Sequence, residues 1–457
     1  MSLTLVLALT VTLALDSLER GGAICSDEAV RTFYEQRGDA PAWDEQNAGA
    51  LRRAIARAAD EALDPQDYPL PASDRTPEER DVLLSDAFLT YATHLLRGRE
   101  NPQFDWCSAP RDLDLAAILE SALIDRTIEE VLPQLAPRHE GYRKLRQAWQ
   151  VYRAMVDWRE VPPGASLRLG DRGTRVEQLR ERLGLSGSES FDGELEAAVR
   201  DFQRRHGLVE DGIAGPKTLT ELNVPRQARL RQLGWNLERW RWMPDDLGER
   251  HLLVNVAAFD ATLVENGTAT LRMRIVAGKD LTRTPFFTAR VEAVTVNPPW
   301  NVPDSIASGE LWPKQRRDRS YFAREHIRVL PGGRLRQDPG PWCALGRIKL
   351  EMPNRYNVYL HDTPARSLFA TDLRAFSHGC IRMEKPVDMA AALTGRSAGE
   401  IENLIAAERQ VTITLEQKIP VYVLYWTAFV GDDGEAEFRR DVYGQDAAME
   451  AARTARP

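Results

Sequence analysis

Between residues 27 and 156 apolar side chains recur at steps of three and four: Leu51, Ile55, Ala58 and Ala62; Phe88, Tyr91 and Leu95; Tyr142, Leu145, Trp149, Tyr152 and Met155. That spacing puts each set on one face of a helix, so the region predicts a bundle-like helical scaffold whose stripes are core and carry no chemistry. Val161-Pro162-Pro163-Gly164 breaks the pattern. Two shorter stripes follow, Val176, Leu179 and Leu183, then Leu195, Ala198, Val199 and Phe202, the second closed by Gly207 at a C-cap position. Asp211-Gly212 supplies a turn, and Pro216 suits the first position of a third short helix carrying Leu219 and Leu222. Leu230, Leu233, Leu237 and Trp240 then return to helical spacing, so the small unit reads as an insertion into the scaffold. From Leu252 the period changes to two, with Leu252, Val254 and Val256 alternating, Asn266-Gly267 as a hairpin turn, and Val411, Ile413 and Leu415 alternating later.

About fifty residues separate the strand ending near Val296 from the one starting near Arg347, well beyond an ordinary connection, and segments of that length are often lids or binding loops. Trp300, Trp312, Tyr321 and Phe322 lie in it among Lys314, Arg316, Arg317 and Arg319, an aromatic content that argues against a disordered insertion. The expected architecture is multidomain α+β. Residues 25–163 form a helical scaffold, 164–224 a three-helix domain, 225–248 a return to the scaffold, and 249–430 a mainly β domain with a lid at about 298–345. The tail, 431–457, rich in Asp, Glu, Arg and Ala, reads as peripheral.

Composition changes this picture little. A chain of 457 residues, 43% hydrophobic and 28% charged, is globular and too long for one core. The net charge of -8 counts against a nucleic-acid partner, which calls for a basic surface. Residues 3–15 form an apolar run of signal-peptide length, too short to span a bilayer, which makes 1–24 a targeting segment and export the expected fate. No Lys or Arg precedes the run and no small-x-small site follows it, so a truncated signal or a buried element stays open. No later segment reads as transmembrane. Of the four cysteines, Cys25 and Cys107 could pair in an oxidising compartment, a pairing that sequence distance alone does not decide.

Chemistry concentrates in Ser377-His378-Gly379-Cys380-Ile381-Arg382, with His361 nineteen positions before Cys380. A thiol is a weak nucleophile until ionised, and an imidazole is the usual device for taking its proton, so Cys380 is assigned as nucleophile and His361 as base. Tyr359 and His361 share one side of a strand, and Gly379 lets the backbone turn where the cysteine is presented. His378, two residues from Cys380, is given an orienting role. Backbone N–H groups around Gly379 and Cys380 are the expected oxyanion donors, and Arg382 could pair with a substrate carboxylate or sit in a surface salt bridge. Trp300 and Tyr359 complete the substrate-binding set. No cofactor is called for. A zinc site built on His361, His378 and Cys380 is the rival chemistry, but the usual ligand spacings are missing.

The run from Asn357 through His361 to Ser377-His378-Gly379-Cys380 resembles the catalytic signature of the L,D-transpeptidases, or YkuD-type domains. Pro339-Gly340-Pro341-Trp342-Cys343-Ala344-Leu345-Gly346 also looks like that family's approach to the catalytic strand, with Cys343 where Asn is more usual, and Asn297-Pro298-Pro299-Trp300-Asn301-Val302-Pro303 resembles a segment of its long members. Phe202-Gln203-Arg204-Arg205-His206-Gly207-Leu208 and Asp211-Gly212-Ile213-Ala214-Gly215-Pro216 resemble a peptidoglycan-binding domain. The resemblance implies the long Gram-negative envelope arrangement, with a cap over the site. It also implies a periplasmic or envelope enzyme acting on peptidoglycan stem peptides and glycan. In that reaction Cys380 attacks the carbonyl of the third stem residue, a terminal D-alanine leaves, and an amine on a second stem resolves the thioester into a 3→3 cross-link. Resolution by water would make the same site an L,D-carboxypeptidase, and a relict site would leave a non-catalytic wall-binding protein.

Overall fold

The computed structural model describes residues 3–20, 24–99 and 111–454. Cys107 lies outside them, so the Cys25–Cys107 pairing is not addressed. The amino-terminal half is helical: α1 (Leu3–Arg20), α2 (Asp27–Gln36), α3 (Glu45–Ala56), α4 (Pro77–Arg97), α5 (Leu115–Asp125), α6 (Ile128–Gln134) and α7 (Glu140–Ala154). Its central element, α4, starts at a capping box in which Thr76 and Glu79 satisfy each other's backbone amides, with Pro77 in the first turn. Buried Val82, Phe88, Leu89 and Leu95 fix it in the core, and Gly98 ends it. Residues 3–15, read from sequence as a signal core or a buried element, lie in α1, whose Val11, Leu15 and Leu18 are buried where it meets α4. No helix among the described residues is long and apolar enough to cross a membrane.

Three short helices, α8 (Thr174–Arg182), α9 (Gly193–Arg205) and α10 (Pro216–Leu222), enclose a separate core of Val176, Leu179, Leu195, Val199, Phe202 and Leu222. Helix α11 (Arg226–Arg241) then packs back on α7 and joins the two halves of the molecule. Its Trp240 stacks on Trp426 with ring centres 4.3 Å apart. Asn236 hydrogen-bonds the Thr427 hydroxyl at 2.8 Å, and the fully buried Arg239 meets Asp446 at 2.5 Å.

The carboxy-terminal half is built on strands β1 (Arg250–Asn255), β2 (Asp260–Glu265), β3 (Thr268–Gly278) and β4 (Phe287–Val296). It continues through β5 (Trp300–Asn301), β6 (Ile327–Val329), β7 (Leu335–Gln337), β8 (Ile348–Glu351), β9 (Leu360–His361), β10 (Ala375–Ser377), β11 (Ile381–Met383) and β12 (Val411–Leu424). Among the described residues the main sheet runs β10-β3-β11-β9-β8-β4-β12-β1-β2, and β2 also pairs with β3, so the sheet closes on itself. Closure depends on the length of β3: its first part pairs with β2 after the Asn266-Gly267 turn, where both residues have positive φ, and its end pairs with β11 and β10. Helices α12 (Asp304–Ile306), α13 (Trp312–Arg317) and α14 (Tyr321–Arg324) belong to the expected lid, which with β5, β7 and β6 forms a three-stranded sheet over its own core of Val302, Leu311, Phe322, Ile327 and Leu335. Helices α15 (Pro386–Thr394) and α16 (Ala398–Ala406) flank the main sheet.

The tail departs from expectation. After Gly431 the chain completes a hairpin, β13 (Ala428–Val430) with β14 (Ala436–Phe438), and ends in α17 (Gln445–Thr454). It is not peripheral: Phe438 and Tyr443 are buried, and the Tyr443 hydroxyl donates to Gly278 O at 2.5 Å. Its charges mislead in the sequence because they have partners inside the molecule. Asp433 and Glu435 pair with Arg204 and Arg205 of α9 at 2.7 and 3.2 Å, and the Phe438 ring stacks on His206. A further bridge, Lys217 to Asp372 at 2.8 Å, ties the small domain to the loop leading to Cys380.

Candidate active site

Two short strands bring the candidate residues together. β9 and β11 run parallel in the register Leu360 to Ile381 and His361 to Arg382, and Ile381 N–H donates to Tyr359 O at 3.0 Å. Neighbours in register point to the same side of a sheet. Leu360 and Ile381, both fully buried, face the core, which leaves Tyr359, His361, Cys380 and Arg382 on the opposite face. β8 adds Lys349 beside His361, and β4 adds Thr295 beside Lys349.

The turn that presents Cys380 is tied internally. Ser377 Oγ donates to Cys380 O at 2.6 Å and accepts from Gly379 N–H at 3.1 Å, while Thr284 Oγ1 donates to Gly379 O at 2.8 Å. Gly379 has φ 112°, a backbone region that penalises any Cβ even though the nearest atoms, the Arg283 and Thr282 carbonyl oxygens, would stand at ordinary contact distances of 3.6 and 3.9 Å. The Gly379 amide is thereby engaged with Ser377 in this structure. His378 does not turn toward the sulfur. It is exposed, and its Nε2 meets Glu310 Oε1 of the lid at 2.6 Å. Glu310 stands on a π-helical turn, residues Ala307–Leu311.

The Cys380 thiol is directed at Asn357 O, 4.0 Å away. Burial raises its pKa above the ordinary thiol range, against the pull of the Tyr359 backbone amide and hydroxyl and the positive charges of Lys349 and Arg382. His361 is buried, and burial followed by the Arg382 charge lowers its pKa to about 3, although the carbonyls of Asp362 and Leu345 pull the other way. Its Nδ1 lies 2.5 Å from Asp362 O; a carbonyl can only accept, so Nδ1 carries the proton and Nε2 keeps the lone pair of a base. The resting pair is therefore neutral thiol and neutral imidazole. The sequence suggested a sulfur made anionic by its neighbouring imidazole; burial and two cations prevent that ring from holding the charge in the free protein.

Tyr359 is the hub of the face. It is the parallel-strand neighbour of Cys380, one step before the Leu360–Ile381 pair, and burial raises its pKa beyond the ordinary phenol value. Arg382 is half-buried with its Nε unpartnered and no acidic side chain bridged to it among the described residues, the state of a guanidinium that can receive a carboxylate. Cys343, fully buried, donates to Pro298 O at 3.6 Å and so links the two ends of the lid. Burial raises its pKa as well. Just beyond it Gly346, at φ 60°, leaves room for the Asp362 carboxylate, which a Cβ would meet at 2.4 Å. Among the described residues no three His, Cys, Asp or Glu side chains converge as metal ligands, so His361, His378 and Cys380 do not form a joint set.

Sequence reasoning gave Ser377 no role of its own within the motif and did not single out Thr284, Glu310 or Lys349. A signal for Lys349 existed: in Ile348-Lys349-Leu350-Glu351 the buried and half-buried positions alternate, which puts Lys349 and Glu351 on one face of a strand. Glu310 and Thr284 are distant in sequence from Cys380 and left no such trace.

Residues 249–413 match the model of the L,D-transpeptidase catalytic domain, 172–222 that of a "Putative peptidoglycan binding domain", and 28–148 that of a Scaffold domain. A Haemophilus influenzae protein named "Putative L,D-transpeptidase" is 30% identical over 240 residues, 47% of this chain and 48% of that protein. General secretion pathway protein A of Aeromonas hydrophila is 32% identical over 135 residues, 24% of each chain. The chain thus spans about half the length of the first relative and a quarter of the second. Among solved structures, an L,D-transpeptidase of Stackebrandtia nassauensis is 13% identical with a TM-score of 0.25, over 57% of this chain and 97% of that one. A cysteine-to-serine mutant of an Enterococcus faecium L,D-transpeptidase is 15% identical with a TM-score of 0.22, over 40% and 53%.

Proposed function

We propose that this chain, which carries an L,D-transpeptidase catalytic domain beside a peptidoglycan-binding domain, is a cysteine acyltransferase that joins peptidoglycan stem peptides through a thioester on Cys380. The observation that carries the reading is the single sheet face on which Cys380, His361 and Arg382, whose Nε has no partner, stand together. A carboxylate of the donor stem pairs with Arg382, which sets its carbonyl over the sulfur. His361 takes the thiol proton as the sulfur attacks, so imidazolium and thiolate exist only along the reaction path, and the ring returns that proton to the departing D-alanine amine. The Cys380 amide stabilises the oxyanion. An amine of a second stem then displaces the thioester to give a 3→3 cross-link. The substrate places the enzyme outside the cytoplasm, in the periplasm or envelope, with the small domain holding glycan.

Incubation with a carbapenem-type acylating agent is expected to give one covalent adduct, on the peptide containing Cys380, and none in Cys380→Ala. With purified muropeptides the expected products are cross-linked dimers. Trimmed tripeptides without dimers would leave only hydrolysis, and no adduct with intact binding to sacculi would end the catalytic reading.

A further inference from the structure

Lys349 takes no bond-making part in the reaction described so far, yet it is among the most constrained cations of the site. It stands on β8 in register with His361, and its side chain is 22% exposed. Its Nζ lies 4.6 Å from the centre of the Tyr359 ring, close enough for a cation–π contact. On its other side Nζ meets Glu351 Oε2 at 2.8 Å; Glu351 Oε1 accepts from Thr295 Oγ1 at 2.8 Å, and Thr295 Oγ1 lies 3.2 Å from Thr412 Oγ1. The ammonium is thus held between a carboxylate anchored by the sheet and an aromatic face. That same tyrosine stands beside Cys380 on the neighbouring parallel strand, on the face that carries the sulfur.

We propose that Lys349 is the positioning residue of the thiolate: held across the Tyr359 ring beside Cys380, it supplies standing positive charge to the sulfur when it is deprotonated. The inference rests on Cys380 being the nucleophile. In the step concerned the Sγ–H bond breaks, the proton passes to Nε2 of His361, and the electron pair stays on sulfur until it forms the bond to the substrate carbonyl. His361 is buried beside two cations and does not hold a proton beforehand, so charge already in place has to favour the thiolate. The charged and titratable groups facing the sulfur are Lys349 from β8, Tyr359 and His361 from β9, and Arg382 from β11. Glu351 opposes Lys349, and the lid contributes the Glu310–His378 pair beside the cysteine turn. Lys349 differs from Arg382 in having a fixed counter-ion: it is built to stay where it is, whereas Arg382 is open to a substrate carboxylate.

The test is the pH dependence of iodoacetamide alkylation at Cys380 in the full chain, read on the Cys380 peptide by mass spectrometry so that other cysteines do not interfere. Lys349→Met should move the inflection up by about half to one pH unit and slow alkylation at neutral pH about three- to tenfold. Lys349→Arg should restore most of the rate, and Glu351→Gln should move the inflection the opposite way by removing the opposing charge. A folded Lys349→Met chain with the unmodified inflection would overturn the proposal, as would Glu351→Gln shifting upward. Should Lys349→Met fail to fold, the direction of the Glu351→Gln shift decides alone. Haloacetamide alkylation needs no peptide substrate, so these outcomes are separable from failure of the transpeptidase reading, which the carbapenem and muropeptide experiments report.

Discussion

At His361 two effects compete, and the magnitudes decide between them. Carbonyl oxygens of Asp362 and Leu345 favour the imidazolium, but burial and the Arg382 charge outweigh them and leave the ring neutral until about pH 3. A group whose folded pKa lies that low stays a base throughout the neutral and mildly acidic range. The alkylation rate of Cys380 in the free protein should therefore rise through one inflection, above the ordinary thiol range because burial raises that pKa, with no second inflection near the imidazole's usual 6.5. A plateau of fast alkylation below pH 6.5 would show a preformed ion pair and contradict the geometry. That Cys380 and His361 come to one sheet face was legible in the sequence, where the two residue types that chemistry needs stand a strand and a loop apart. Their resting charge was not, since it depends on burial and on Arg382 and Lys349 arriving in register from other positions.

Elements show a different balance of what is readable. The lid announced itself by length and aromatic content, but its small sheet did not, because β5, β6 and β7 have only two or three residues each and too few positions to display an alternation. Its contact with the catalytic turn, Glu310 to His378, joins side chains that are 41% and 35% exposed, and such pairs contribute about 0–1 kcal/mol. Glu310→Gln should accordingly leave the urea midpoint within the equivalent of about 0.5 kcal/mol while making Cys380 about twofold more accessible to alkylation at fixed pH. An unchanged alkylation rate would mean that the pair does not hold the lid over the thiol.

At the scale of the molecule, α11 and the tail decide how the halves fit. Arg239 is fully buried, and Asp446 of α17 is its acidic partner; the Asp446 backbone is held in turn by Asp441, which also accepts from the Tyr425 hydroxyl at 2.8 Å. Removing one member of a buried pair leaves the other charge uncompensated, at a cost of about 3–5 kcal/mol. Asp446→Asn is expected to destabilise the chain by about 3 kcal/mol in chemical denaturation, an effect that a peripheral tail would not show. A loss within about 0.5 kcal/mol, the usual range for a surface substitution, would return the tail to the surface.

By itself the sequence determined the local structure: helices where apolar residues step by three and four, strands where they alternate, a turn at Asn266-Gly267, and a cysteine, a histidine and a glycine spaced for covalent chemistry. Those features depend on near neighbours, and periodicity and turn residues record them directly. Only the tertiary structure decided that β3 closes the sheet, that the acidic tail meets buried and interfacial arginines, that His361 rests neutral, and that Lys349 stands across Tyr359 from the reactive sulfur. Each of these is settled by strand register, burial and charges far apart along the chain, and the energy of such contacts does not exist until the chain has folded.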